Sequence, residues 1–164
     1  MRTNALSLAN YFIGRSVSEN VDIFQLGLMK RVYITHGYSL ALYDKSALDP
    51  RFDVVEAWKY GPVIPSVYHS FKNHGKKPIK EKSVIIDVDP ETYEMDVKIP
   101  ELNDVEIMDV ANMVWLRYFN FSDNRMVKLT HREGTPWSMC YQKGKTCEIP
   151  DLYTRAFYKK FIKK

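Results

Sequence analysis

The sequence has no hydrophobic run that approaches the roughly eighteen residues of a transmembrane helix, so no segment is predicted to cross a membrane. It contains only two cysteines, Cys140 and Cys147, which argues against the disulfide scaffold of a small secreted protein. The N-terminal residues lack the uninterrupted apolar stretch and the cleavage site of a signal peptide. These absences favour a cytoplasmic protein.

A strong charge of either sign is also lacking. The 24 basic and 20 acidic residues leave a net charge of +4, well short of the balance typical of nucleic-acid-binding domains. The excess is local, with five basic residues and no acidic residue between Arg155 and Lys164. These cations could contact phosphates, but cations near a helix C-terminus are also favoured by the helix dipole. Nucleic acid is therefore not the expected partner, and a DNA-binding regulator is only a minor alternative.

Metal-binding and cofactor-binding motifs are missing as well. No two of the four histidines lie four residues apart, as a metal pair on one helix face would: His36, His69, His74 and His131. Residues 144–146 read Gly-Lys-Thr, like the end of a phosphate-binding loop, but Met139 occupies the position of the required first glycine. We predict neither a metal site nor a cofactor.

A catalytic nucleophile is not evident either. Cys140 would need a base brought to it by the fold, for which His131 is the one candidate, and Glu133 is an alternative partner for that histidine. The flanking residues match no hydrolase signature, so a small hydrolase is a less favoured alternative. Two small, buried or half-buried cysteines are the simpler interpretation, and we expect a protein that is not an enzyme.

Helical periodicity dominates the first third of the chain. Asn4 is a predicted N-cap for a helix that runs to about residue 15. Asp22, with Gln25 three residues later, is a predicted cap for a second helix. Apolar positions repeat along that helix in two adjacent stripes: Leu26, Met29, Tyr33, His36 and Leu40, and Phe24, Leu28 and Val32. An apolar face of this width indicates a central helix, and His36 within it indicates a buried histidine with satisfied hydrogen bonds.

Short extended segments follow this helix. Residues 53–60 are predicted to be extended, and Gly61-Pro62 is predicted to turn the chain before a helix that begins at Pro65 and ends near Gly75. Residues 83–88 and 93–99 have the composition of strands, and the Asp-Pro-Glu between them favours a β-hairpin.

Helices return after Pro100. We predict a helix over 105–119, a short helix capped by Ser122, and a loop over 130–137. A last helix should begin at Pro150 and face inward with Leu152, Ala156, Phe157 and Phe161. The expected fold is α+β and predominantly α-helical. It is one compact domain over 1–164, with a small antiparallel β-sheet or hairpin at about 53–60, 83–88 and 93–99.

The stretch 56–75 concentrates aromatic residues, prolines, glycines and two histidines. One interpretation is a core corner at the Gly-Pro turn, formed by Trp58, Val63, Tyr68 and Phe71. The other is a binding surface, where tryptophan and tyrosine are enriched. As an active site the stretch is weak, because Glu56 is its only carboxylate and has no evident partner. The core corner is favoured.

Two blocks of the sequence resemble the Panacea domain, the SocA-like antitoxin family. The first block, over 56–71, carries an acid, a tryptophan, a Gly-Pro turn and a helix with Tyr and Phe: Glu56, Trp58, Gly61, Pro62, Tyr68 and Phe71. The second, over 129–137, is similar to the family's Leu-Thr-His, Glu and Pro-Trp pattern: Leu129, Thr130, His131, Glu133, Pro136 and Trp137. The second helix departs from the family's usual sequence, because Gly27 lies inside it.

The resemblance implies a mostly helical domain that acts as an antitoxin, often encoded beside its toxin or carried on phages. Such domains generally neutralise a cognate toxin by direct binding, and one branch instead works as an adaptor that delivers the toxin to a AAA+ protease. Residues shared by the family are expected to build the scaffold. Contacts with the toxin near this corner are expected from exposed neighbours such as Tyr60 and His69.

Overall fold

A computed structural model describes residues 3–163, which form seven α-helices and two small antiparallel sheets. The elements follow in this order along the chain: α1 (Ala5–Ser18), α2 (Gln25–Tyr43), β1 (Glu56–Trp58), β2 (Gly61–Val63), α3 (Pro65–Phe71), β3 (Ile85–Val88), β4 (Met95–Lys98), α4 (Val105–Tyr118), α5 (Asp123–His131), α6 (Pro136–Cys140), β5 (Cys147–Glu148) and α7 (Asp151–Lys159). This confirms the α+β, helix-dominated class. None of the described helices is long and apolar enough to cross a membrane.

Helix α2 is the centre of the domain, as its two apolar stripes predict. Helices α1, α3, α4, α5 and α7 all pack against it. His36 is completely buried on it and satisfies both ring nitrogens. Nε2 donates to Asp151 at 2.9 Å, and Nδ1 accepts from the Ala47 amide at 3.4 Å. The same imidazole lowers the pKa of Asp151, because its hydrogen bond favours the ionised carboxylate.

Two of the three predicted N-caps are confirmed. The Asn4 side chain accepts a hydrogen bond from the Ser7 amide at 2.9 Å, and Ser122 caps α5 in the same way. The prediction for Asp22 was wrong. The N-cap of α2 is Phe24, which makes no side-chain cap bond, and Asp22 instead forms an exposed ion pair with Lys80.

Gly27 lies in the first turn of α2, where its missing side chain has a physical reason. Its amide donates to the Asp123 carboxylate at 3.0 Å. A Cβ at this position would collide with that carboxylate and with the Arg31 guanidinium. The departure from the usual family sequence therefore accommodates a close approach between α2 and the start of α5.

The sheet near residue 56 has more strands than the sequence indicates. Within the predicted segment 53–60, only β1 is a strand. It pairs antiparallel with β2 on one side and with β5 on the other, in the order β2-β1-β5. The hairpin predicted over 83–88 and 93–99 is present as β3 and β4, which form a separate two-stranded sheet.

Two predictions in the C-terminal third were wrong. The predicted loop 130–137 contains the end of α5, which extends through His131, and the start of α6 at Pro136. Helix α7 begins after Pro150, as predicted, but it is rotated relative to the predicted face. Its buried residues are Thr154 and Tyr158, whereas Leu152, Ala156 and Phe161 are exposed and Phe157 is half-buried.

The rotation of α7 follows from its contacts with α2. The Tyr158 ring packs directly over Gly37, where no side chain obstructs it. The Thr154 hydroxyl lies 3.3 Å from the Tyr33 hydroxyl, and Asp151 bonds His36. Ring packing and polar contacts with α2 together set the rotation of this helix, so its apolar residues alone predicted the wrong face.

Candidate functional site

The turn between β1 and β2 is the centre of the sequence block 56–71. The chain leaves β1 at Trp58, passes through Lys59 and Tyr60, and returns at Gly61, which pairs with Trp58. Gly61 has a φ of 102°, a conformation that favours glycine. A side chain there would also approach the Lys30 amine closely, at 3.2 Å.

Three side chains from other elements bind main-chain carbonyls of this turn. The Trp137 indole donates to the Trp58 carbonyl at 2.6 Å, and His131 Nε2 donates to the Lys59 carbonyl at 3.1 Å. The Lys30 amine donates to the carbonyl of Pro62 at 2.7 Å. Helices α6, α5 and α2 thus fix the turn from three directions.

Aromatic packing continues from the turn on both sides. The Trp58 indole donates to Glu56 Oε2 at 2.7 Å, and its ring meets Tyr68 edge-on with centroids 4.9 Å apart. The His131 ring lies 3.9 Å from the Trp137 ring. We call this set the aromatic corner: Glu56, Trp58, Tyr68, His131 and Trp137. The structure therefore brings the two resembling sequence blocks into one place.

Three further residues of the two blocks stabilise the helices next to the corner: Phe71, Thr130 and Pro136. Phe71 is buried at the end of α3, and Thr130 is buried in α5, where its hydroxyl donates to the Met126 carbonyl. Pro136 is the first residue of α6, where the missing amide hydrogen costs nothing. Thr135 caps that helix through its side chain.

Tyr60 and His69, the two expected partner contacts, lie at the surface beside the corner. Tyr60 is 56% exposed at the tip of the turn, with the Lys59 amine 5.3 Å from its ring. The exposed His69 ring packs edge-on against Tyr68. Both side chains are placed where a bound protein could contact them.

Lys30 is a site residue that the sequence analysis missed. It is completely buried, and burial lowers its pKa to about 7, while the nearby Asp123 carboxylate acts in the opposite direction. Its position in the helical repeat indicated burial. Lys30 is four residues after Leu26 and three before Tyr33, so it lies on the apolar face of α2.

The groups considered for catalysis are not arranged for it. His131 uses Nε2 to hold the Lys59 carbonyl, and across residues 3–163 no hydrogen bond joins it to Cys140 or Glu133. Burial raises the pKa of the Cys140 thiol, whereas a nucleophilic cysteine needs a lowered pKa. Both cysteines are free and half-buried. In the same described part of the chain, no group of three or more His, Cys, Asp or Glu side chains could hold a metal ion.

Comparison with known proteins identifies a family whose matched segment contains the aromatic corner. The protein-family model "Antitoxin SocA-like, Panacea domain" matches residues 28–138, which is more than half of the chain and includes the aromatic corner. The curated protein Antitoxin SocA of Caulobacter vibrioides (strain NA1000 / CB15N) is 27% identical over 136 residues, covering 83% of this chain and 69% of that protein. No solved structure matches the chain. The chain belongs to the SocA-like antitoxin family with a Panacea domain.

Proposed function

We propose that this protein is an antitoxin that neutralises a cognate protein toxin by binding it directly and covering its active surface. Family membership is the observation that carries this proposal. The use of His131, Trp137 and Lys30 in structural hydrogen bonds supports it, because these polar groups hold the fold instead of facing a substrate. The protein acts in this proposal as a binding module in the cytoplasm, without a cofactor and without chemistry of its own.

The residues of the aromatic corner have a scaffold role in this proposal, and exposed side chains beside them contact the toxin. Tyr60 and His69 are the nearest candidates. Tyrosine is enriched at interface hot spots because its rigid ring buries much area at a low entropic cost. Within residues 3–163, the Tyr60 side chain makes no hydrogen bond that a contact with the toxin would have to break.

Co-expression tests the proposal. The protein encoded by the reading frame next to this gene is induced in a bacterial host, with and without this chain, and colony formation is counted. A direct blocker restores growth, and the two proteins co-purify. An unrescued host, or a neighbouring protein that has no effect on growth, refutes the proposal.

A protease-deficient host separates direct binding from the adaptor alternative. An adaptor that delivers the toxin to a AAA+ protease loses its protection in a host that lacks the protease, whereas a direct blocker protects equally in both hosts. The hydrolase alternative is tested by a folded His131→Ala variant. Its undiminished neutralisation would eliminate that alternative.

A further inference from the structure

The β3–β4 hairpin has an apolar face that is exposed. In its register, Ile86 pairs with Val97 and Val88 pairs with Met95, so these four side chains lie on one face. Side chains alternate between the two faces along a strand, so Val84, just before β3, and Ile99, just after β4, lie on the same face. All six are apolar, and their exposed fractions range from 47% to 72%: Val84, Ile86, Val88, Met95, Val97 and Ile99. We call this set the hairpin face.

The opposite face of the hairpin is mostly polar, with half-buried Ile85 as its apolar residue. There, Asp87 pairs with Asp96 and Ile85 with Lys98, whose amine lies 3.0 Å from Asp96 and 4.0 Å from Asp87. An amphipathic sheet normally turns its apolar face toward a core. In this hairpin the apolar face is exposed, so the pattern fits a surface that a second protein covers.

The hairpin is anchored at its base. The side-chain amide of buried Asn10, on α1, donates to the carbonyls of Ser83 and Pro100, both at 3.0 Å, and accepts from the Ser83 amide at 2.8 Å. One side chain thus joins the two ends of the hairpin to the core. At the tip, Asp89 accepts from the amides of Glu91 and Thr92, which fixes the turn.

Charge indicates what kind of partner fits. Residues 83–99 contain five acidic residues and one lysine, a net charge of −4 in a chain whose total is +4. Two copies that packed their hairpin faces together would bring these like charges close to each other.

We propose that the hairpin face docks on the cognate toxin, at an apolar patch of the toxin bordered by lysine and arginine residues. This inference rests on the proposed antitoxin function and adds the binding surface and the chemistry of the partner. The apolar side chains supply the buried centre of the interface, and the acidic residues of the turn, Asp89, Glu91 and Glu94, meet the basic border.

A paired substitution tests the apolar part. Ile86→Thr with Val97→Thr removes apolar surface but keeps β-branched residues, which favour strands. We expect the complex with the protein encoded by the neighbouring reading frame to weaken at least tenfold. The control is Val105→Thr, at a 71% exposed valine on α4, which should bind like the wild type. Thermal unfolding of all three proteins should be equal, because the substituted side chains are exposed.

A second pair tests the charge. Glu91→Gln with Glu94→Gln removes two acidic groups from the exposed turn and leaves the hairpin face intact. We expect slower association, by several-fold at low salt, with little change in dissociation. The difference should shrink as ionic strength rises. If the association rate changes neither with the two substitutions nor with salt concentration, the partner surface is not basic.

The outcomes distinguish the inference from the function on which it rests. If the wild type neutralises the neighbouring protein and the Ile86→Thr, Val97→Thr variant does so with equal affinity, the hairpin face is not the docking surface and the antitoxin function stands. If the wild type does not neutralise it, the function fails and the assignment of the toxin fails with it. Sedimentation of the chain alone gives a third outcome: a dimer that the paired substitution abolishes assigns the face to a second copy and overturns the inference.

Discussion

Burial of Lys30 makes the free energy of unfolding rise with pH, whereas a lysine stabilised by an ion pair makes it fall. Its amine is buried beneath the turn and donates to the Pro62 carbonyl. Its pKa is lowered from 10.5 to about 7 by burial. Between these two values the unfolded chain holds a proton that the folded chain has released, so the free energy of unfolding rises with pH in that window.

The magnitude follows from the two pKa values. A pKa of about 7 in place of 10.5 corresponds to about 5 kcal/mol, by which the fold disfavours the ammonium form. Lys30→Met removes this cost, since an unbranched methionine fills similar space. It also leaves the buried Pro62 carbonyl without its donor, at a cost of about 1–3 kcal/mol. At pH 6 we therefore expect the variant to be more stable than the wild type by about 2–4 kcal/mol.

At pH 10 the order should reverse. The wild-type amine is then neutral in the fold and largely free of the burial cost, but it still donates to the carbonyl. About 0.8 kcal/mol of the burial cost remains at pH 10, because the unfolded lysine is still mostly protonated below its pKa of 10.5, so the variant should be less stable there by up to about 2 kcal/mol. Urea denaturation of both proteins at pH 6, 8 and 10 measures the difference, in which the titrations of groups that do not interact with Lys30 cancel. Lys128→Met, at an exposed position on α5, is the control and should follow the wild type. A difference between Lys30→Met and wild type that stays constant from pH 6 to pH 10 would refute the reasoning.

Two further substitutions test packing and anchoring. Gly37→Ala should lower the free energy of unfolding by about 1–3 kcal/mol in urea denaturation, because the new methyl group would overlap the Tyr158 ring. At an unobstructed helix position the same change would raise it by about 1 kcal/mol, and such a gain would contradict this contact. Asn10→Leu should remove the three hydrogen bonds at the base of the hairpin. Amide hydrogen exchange should then accelerate across 83–99 while α4 stays protected. Unchanged exchange in the hairpin would show that Asn10 is not its anchor.

Much of the fold was predictable because periodicity and capping are local. The stripes of α2, the Asn4 cap and the β3–β4 hairpin depend on residues close in sequence, and the structure contains all three. The rotation of α7 was not predictable in this way. It depends on Tyr158 meeting Gly37 and on Asp151 meeting His36, which are contacts between residues more than a hundred positions apart.

The candidate site was predictable in part for the same reason. The resembling sequence blocks identified the residues that meet in the aromatic corner. Their contacts were hidden, because Trp137 and His131 bind main-chain carbonyls, whose positions only the tertiary structure defines. The strand β5 was also missed, since two residues that pair with β1 across ninety positions carry no periodic pattern of their own.

The hydrogen bonds to the β1–β2 turn have a consequence for how such a protein can diversify. Trp137, His131 and Lys30 all contact carbonyl oxygens, which every residue type provides. The side chains of Lys59 and Tyr60 point away from this support and are exposed. Substitutions at those two positions can therefore alter the surface while the backbone keeps its shape, as hypervariable loops do on an antibody framework. A single scaffold could acquire new specificities at these positions without losing its fold.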